Sequence, residues 1–267
     1  MKRPPTFSCP LAGGFHTFCL MLSPKPWRIE AVIMLLAGAF GCLGFGMVLA
    51  GLLRQAGLAA FQTPDSPGNI LLGTLSFHGA VWVLMLVFLA LHGMDWREAF
   101  GLRDPNLKRA LVTALVVVLP VLLVAWGLQF LSVWTLTRLG FHLEDEQAVA
   151  LMLGAKSPWL RVYLGVFAIV IAPVAEEFVF RGTLYPLVKQ LGFPKLALLG
   201  VSFLFALIHF NVPTFVPLFF FALAQTWLYE RTDNLLAPIT VHALFNAANL
   251  VALTLTNGSS HQLPVQP

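Results

Sequence analysis

From Ala31 to Leu53 the chain runs for about 23 residues without one charged side chain, and roughly 20 apolar residues in a helix suffice to cross a bilayer core. A run of this kind has no place in a water-soluble fold unless a large core encloses it. Comparable runs follow at about Ile70 to His92, Ala110 to Leu131, Leu160 to Phe180, Pro194 to Phe210, Pro213 to Tyr229 and Leu235 to Leu255. Only 10% of the 267 residues are charged, against about a quarter in a soluble domain. Because lipid offers no partner to backbone N–H and C=O groups, spans that are not barrel strands must be helices. The expectation is an all-α, polytopic transmembrane bundle of about seven spans. The first run is too long for a cleavable signal, and Arg54 follows it without a small-residue cleavage site.

Basic loops give the orientation. With the N-terminus inside, the inner segments hold Lys2, Arg3, Lys25, Arg28, Arg97, Arg103, Lys108, Arg109, Lys189, Lys195 and Arg231, against Arg54, Arg138, Lys156 and Arg161 outside. This bias predicts an N-in, C-out chain. It also accounts for the net charge of +4 without a nucleic-acid partner, since no basic face stands on a soluble surface. Five segments are expected: a cytoplasmic tail over 1–28, N-terminal transmembrane helices over 29–131, an interfacial loop or helix over 132–158 carrying Glu144, Asp145 and Glu146, a core over 159–256 and a C-terminal tail over 257–267. Cys9, Cys19 and Cys42 lack the spacing of a disulfide framework or a thiolate metal site. No internal repeat of the kind found in many transporters is visible.

Ionisable residues inside spans cost at least about 2.5 to 3.5 kcal/mol each, so each needs a partner or a task. Three places break the apolar pattern: Glu176, Glu177 and Arg181 in one span, His209 at the end of the next, and His242 with Asn246 in the last. Glu177 and Arg181 stand four apart in the favourable order for an ion pair on one helix face. Glu176 is turned by about 100° from them, toward the interior of the bundle. A carboxylate there suits a general base. His242 and Asn246 share a face and offer donors for the oxyanion of a tetrahedral intermediate, and His209 can orient or deprotonate water together with Glu176. Pro173 removes a backbone bond just before the carboxylates, and Gly182 permits close packing after them.

The order Glu176-Glu177-x-x-x-Arg181, Phe205-x-x-x-His209, His242-x-x-x-Asn246 on successive apolar segments resembles the CPBP family. That family comprises the type II CAAX prenyl endopeptidases (Rce1-like) and the bacterial Abi-type membrane proteases, some of them bacteriocin-immunity proteins. The resemblance covers about Leu160 to Leu255, and Trp96 to Arg103 looks like the Gly-Leu-Arg turn that often precedes such a core. It implies an intramembrane endopeptidase in which Glu176 and His209 activate water, His242 and Asn246 form the oxyanion hole, and Glu177 and Arg181 support them. It also implies a multi-pass protein of the plasma (inner) membrane if the host is bacterial. Its partners would be membrane lipids and a hydrophobic or prenylated peptide or protein.

Other chemistries stay open beside this one. Glu176, His209 and His242 would make a His₂Glu zinc site, as in older descriptions of the family as metalloproteases, although the H-E-x-x-H helix of zinc proteases is absent. No cofactor is the favoured reading, since Asn246 is a poor zinc ligand and a good oxyanion donor. A Ser202–His242 dyad would leave Glu176, Glu177 and Arg181 without a role. An aspartyl mechanism fails because Asp95, Asp104, Asp145 and Asp233 fall in loops. The rival class is a transporter, or an immunity or scaffold protein, that uses the polar cluster for binding. The many phenylalanines read as packing surface, with Phe215, Phe219, Phe220 and Phe221 able to line a lateral opening.

Overall fold

A computed structural model describes residues 22–63, 66–143, 146–155 and 157–260. The described residues form helices and connecting turns, with no strand among them. Eight helices carry the architecture: α1 (Ile29–Gln55), α2 (Pro67–Leu91), α3 (Leu107–Arg138), α4 (Gln147–Gly154), α5 (Pro158–Gln190), α6 (Pro194–Leu207), α7 (Val212–Thr232) and α8 (Leu236–Ser260). Six of them, all but α4 and α6, are long and apolar enough to cross a membrane. The sequence suggests a seventh span at Pro194 to Phe210. There α6 has 14 residues and rises about 21 Å, short of a hydrocarbon core of roughly 30 Å.

Prolines open these helices where a backbone N–H has no partner in any case: Pro67 follows Ser66, Pro158 follows Ser157, and Pro213 follows Asn211 and Val212. Asn211 caps α7 by accepting from the Thr214 amide at 3.1 Å. The turn between α6 and α7 is tight, and Phe210 adopts φ +49 within it, a left-handed conformation that a bulky residue rarely takes. Inside α5 the helix widens twice into π turns, at Phe167–Ile171 and Phe178–Leu184, and α2 does so once at Leu75–Gly79. Such turns gather at functional sites because they redirect side chains and carbonyls.

The basic loops meet at one end of the bundle. Lys25 pairs with Asp233 at 2.9 Å, the Arg28 amide donates to His92, and Asn234 donates to the Gly101 carbonyl at 3.0 Å. Gly101 has φ +77, and a Cβ there would lie 2.7 Å from Asn234, so both conformation and space call for glycine. From this end α8 runs back along α5 in the opposite direction, with His242 beside Glu177 and Asn246 beside Ala168. The C-terminal end of α8 therefore lies opposite residues 22–28.

Residues 22–28, expected as part of a tail, pack against the bundle. Leu22 and Trp27 are buried, and the Trp27 ring lies tilted against Phe88 of α2, 4.9 Å between centroids. The Leu22 amide donates to Glu230, which also takes the Tyr185 hydroxyl and Lys189. Trp27 Nε1 donates to the Gly182 carbonyl at 2.6 Å. That carbonyl stands four residues before Pro186, which has no N–H to give it. The rest of the tail, 1–21, lies outside the described residues, as do Glu144, Asp145, Lys156 and 261–267.

Candidate active site

Glu177 is the centre of a buried polar cluster. Both it and Arg181 are inaccessible to solvent, and Arg181 Nη1 donates to Glu177 Oε1 at 3.1 Å across one helix turn. The second guanidinium nitrogen donates to the Ala222 carbonyl of α7 at 3.1 Å, and the guanidinium carbon lies 4.5 Å from the centre of the Phe205 ring. Glu177 Oε1 also faces His242 Nδ1 at 2.7 Å and takes a longer bond from Gln225 at 3.4 Å. A buried charge is tolerable only with this density of partners. Gln225 is itself fixed by donating to the Pro238 carbonyl at 2.8 Å.

The hub sets the state of His242. A carboxylate paired with Arg181 is an acceptor, so Nδ1 carries a proton toward Glu177 and Nε2 is left for other work. That nitrogen lies 3.8 Å from Glu176 Oε2. Unlike Glu177, Glu176 keeps 18% of its side chain exposed, and its other oxygen lies 3.9 Å from Nε2 of His78. Both gaps exceed a direct hydrogen bond, and a water beside either pair can touch both partners. Glu176 thus stands at a wettable edge of an otherwise dry cluster.

Asn246, one turn beyond His242, donates through Nδ2 to the Ala168 carbonyl at 2.7 Å. Ala168 sits in the first π turn of α5, just before Pro173, whose ring and missing N–H disturb the backbone ladder. The amide is held in place by this bond and retains a second N–H. His209 has Nδ1 2.8 Å from the Phe205 carbonyl, and its ring lies 5.0 Å from that of Phe205. Among the described residues no ion pair within 4 Å joins it to Glu176, which pairs instead with His78 and His242. The sequence thus brings Glu176, Glu177, Arg181, His242 and Asn246 into one cluster and leaves His209 at its margin.

Two members of the cluster escape a reading by motif. His78 lies in the π turn of α2 and Gln225 in α7, each a polar side chain inside an apolar run. The cost of placing such groups in lipid was the available signal.

Ser202 is buried, and its hydroxyl makes no hydrogen bond among the described residues. Both nitrogens of His242 face carboxylates, so no serine–histidine dyad forms. Among the described residues no group of three or more His, Cys, Asp or Glu is arranged to hold a metal ion. Beside His209, an apolar groove of about 620 Å³ opens between α3 and the α6–α7 turn, lined by Leu128, Leu131, Leu207, Phe210 and Phe215 among others. Phe215 stacks parallel to Phe219, whereas Phe221 is buried 5.1 Å from the His242 ring.

No curated protein and no solved structure matches the chain. A family model does match the part that holds Glu176, His209, His242 and Asn246: residues 158–248 match the family described as Type II CAAX prenyl endopeptidase Rce1-like.

Proposed function

We propose that this chain is an intramembrane endopeptidase that hydrolyses a peptide bond of a membrane-associated substrate, prenylated CAAX-type tails being the first class to test. Glu176 takes a proton from a water held at its exposed edge, and the water oxygen attacks the scissile carbonyl. His242 and Asn246 stabilise the resulting oxyanion, the first through Nε2 when protonated and the second through its remaining amide N–H. Glu177 and Arg181 fix the His242 ring, and His209, held through Nδ1 by the Phe205 carbonyl, orients the water together with Glu176. The apolar groove beside His209 suits a lipid-like tail on the substrate, because it offers hydrocarbon surface within a few residues of the polar cluster.

The observation that carries this reading is the asymmetry of the two adjacent carboxylates. Glu177 is dry and gathers Arg181, His242 and Gln225 on one oxygen, its other oxygen buried without a hydrogen bond among the described residues, whereas Glu176 lies within 4 Å of two imidazoles and keeps 18% of its side chain exposed. A purely structural cluster has no use for the second arrangement. The test is incubation of the purified full-length protein with hydrophobic and prenylated peptides, with products identified by mass spectrometry. Cleavage at one bond that disappears in Asn246→Ala supports hydrolysis, because a proton relay has no need of that amide. Proton movement in proteoliposomes without cleavage of any peptide would replace the protease reading with a transporter.

A further inference from the structure

His78 belongs to α2, 80 residues before the segment that matches the family model. It nevertheless faces Glu176, with Nε2 3.9 Å from Oε1 and 17% of its side chain exposed. Its ring is held edge-on between aromatic neighbours, 4.7 Å from Phe167 and 5.0 Å from Phe77. Phe167 begins the same π turn that presents the Ala168 carbonyl to Asn246. On α1, packed along α2 here with Gly46 against Ser76, the charged residues are Glu30 and Arg54 at the two ends. The charged groups near His78 are therefore Glu176 on α5 and, around it, His242, His209 and Glu146.

The two oxygens of Glu176 thus face histidines on opposite flanks. His242 is committed through Nδ1 to the Glu177 hub and shares its flank with Asn246. His78 has Glu176 as its carboxylate partner. In amide hydrolysis the oxyanion and the departing nitrogen are different substituents of one tetrahedral carbon, so their donors must stand on different sides of it.

We propose that His78 is the general acid that protonates the leaving amine, so that the active site is composite, with α2 supplying a group the family segment does not contain. The step rests on the protease reading above. Water gives its hydroxyl to the acyl carbon and its proton to Glu176. Protonated His78 gives the Nε2 proton to the amide nitrogen as the C–N bond breaks. Glu176 then returns its proton to His78, leaving a carboxylic acid and an amine.

The experiment uses the full chain in detergent and two probes with one acyl group, a farnesylated CAAX peptide and the same acyl group esterified to p-nitrophenol. The nitrophenolate departs without a proton. In His78→Gln the peptide kcat should fall at least about 100-fold while the ester kcat stays within about threefold of wild type, the size expected for loss of one general acid. His78→Phe keeps the aromatic contacts and should behave the same way. The ratio of the two rates is independent of the folded fraction, so partial misfolding does not mask the result. Equal losses on both probes would make His78 structural, and peptide cleavage within about threefold of wild type would make it a bystander; either overturns the proposal while the protease reading stands. Failure of wild type to cleave the peptide, or cleavage that persists in Glu176→Gln, would overturn both.

Discussion

Glu177 holds the Nδ1 edge of His242 at 2.7 Å with the same oxygen that takes Arg181 at 3.1 Å. One carboxylate oxygen therefore neutralises a buried guanidinium and fixes the proton position and orientation of an imidazole on another helix. The second nitrogen of that imidazole is aimed at Glu176. Structure and chemistry are joined at this atom, and the consequences can be separated by mutation.

Glu177→Gln leaves Arg181 buried without a counter-ion, a loss of about 3–5 kcal/mol for a broken buried pair. Thermal unfolding in detergent should show a large fall in Tm. Adding Arg181→Met should recover much of that stability by removing the orphaned charge, while activity stays low because His242 is no longer oriented. Recovery of activity together with stability would show that the hub serves folding alone.

Asn246→Ala removes one bond to the Ala168 carbonyl, about 1 kcal/mol of stability. Loss of an oxyanion donor costs about 10²–10³ in kcat. The expected phenotype is a small change in Tm with a large fall in kcat and little change in KM. A fall in Tm that accounts for the whole loss of activity would remove the catalytic role.

Trp27→Phe keeps the ring against Phe88 and deletes the donor to the Gly182 carbonyl, which Pro186 cannot serve. An unsatisfied buried carbonyl costs about 1–3 kcal/mol. Thermal unfolding should register that loss, and kcat per folded molecule should hold near wild type. An unchanged Tm would mean that the carbonyl finds another donor.

Burial raises the Glu146 carboxyl above the usual carboxylate range; His209 opposes this and Glu176 adds to it. A folded value above the unfolded one means that its contribution is complete below the ordinary value near 4.5 and is lost as pH rises through the folded value. Glu146→Gln should therefore unfold at a higher temperature than wild type at pH 8 and at the same temperature at pH 4. A variant less stable than wild type at pH 8 would contradict this account.

Much of this arrangement is legible in the sequence because lipid makes polar residues conspicuous. Glu176, Glu177, Arg181, His242 and Asn246 stand out in apolar helices, and spacing alone places Glu177 with Arg181. His78 is equally conspicuous by cost, yet it has no partner at helical spacing, and only the packing of α2 against α5 gives it one. Motif order offers His209 as a partner of Glu176 on a shared water; what the fold adds, and spacing does not announce, is that its Nδ1 is bonded to the Phe205 carbonyl of its own helix beside the tight turn at Phe210. Asn246 shares a face with His242, but its bond to Ala168 depends on a π turn that no periodicity announces. Residues 22–28 read as a tail because their anchors, Gly182 and Glu230, lie more than 150 residues away in sequence.

Glu176 is the residue on which the protease reading depends. Its most direct test compares kcat for a fluorogenic farnesylated CAAX peptide in wild type and Glu176→Gln, each before and after treatment with chelator. Loss of a general base predicts a fall of about 10²–10⁴-fold in the variant at unchanged Tm, with wild-type cleavage surviving chelation. Cleavage by Glu176→Gln at the wild-type rate, or loss on chelation with rescue by Zn²⁺, would contradict the assignment of this carboxylate as the group that activates water.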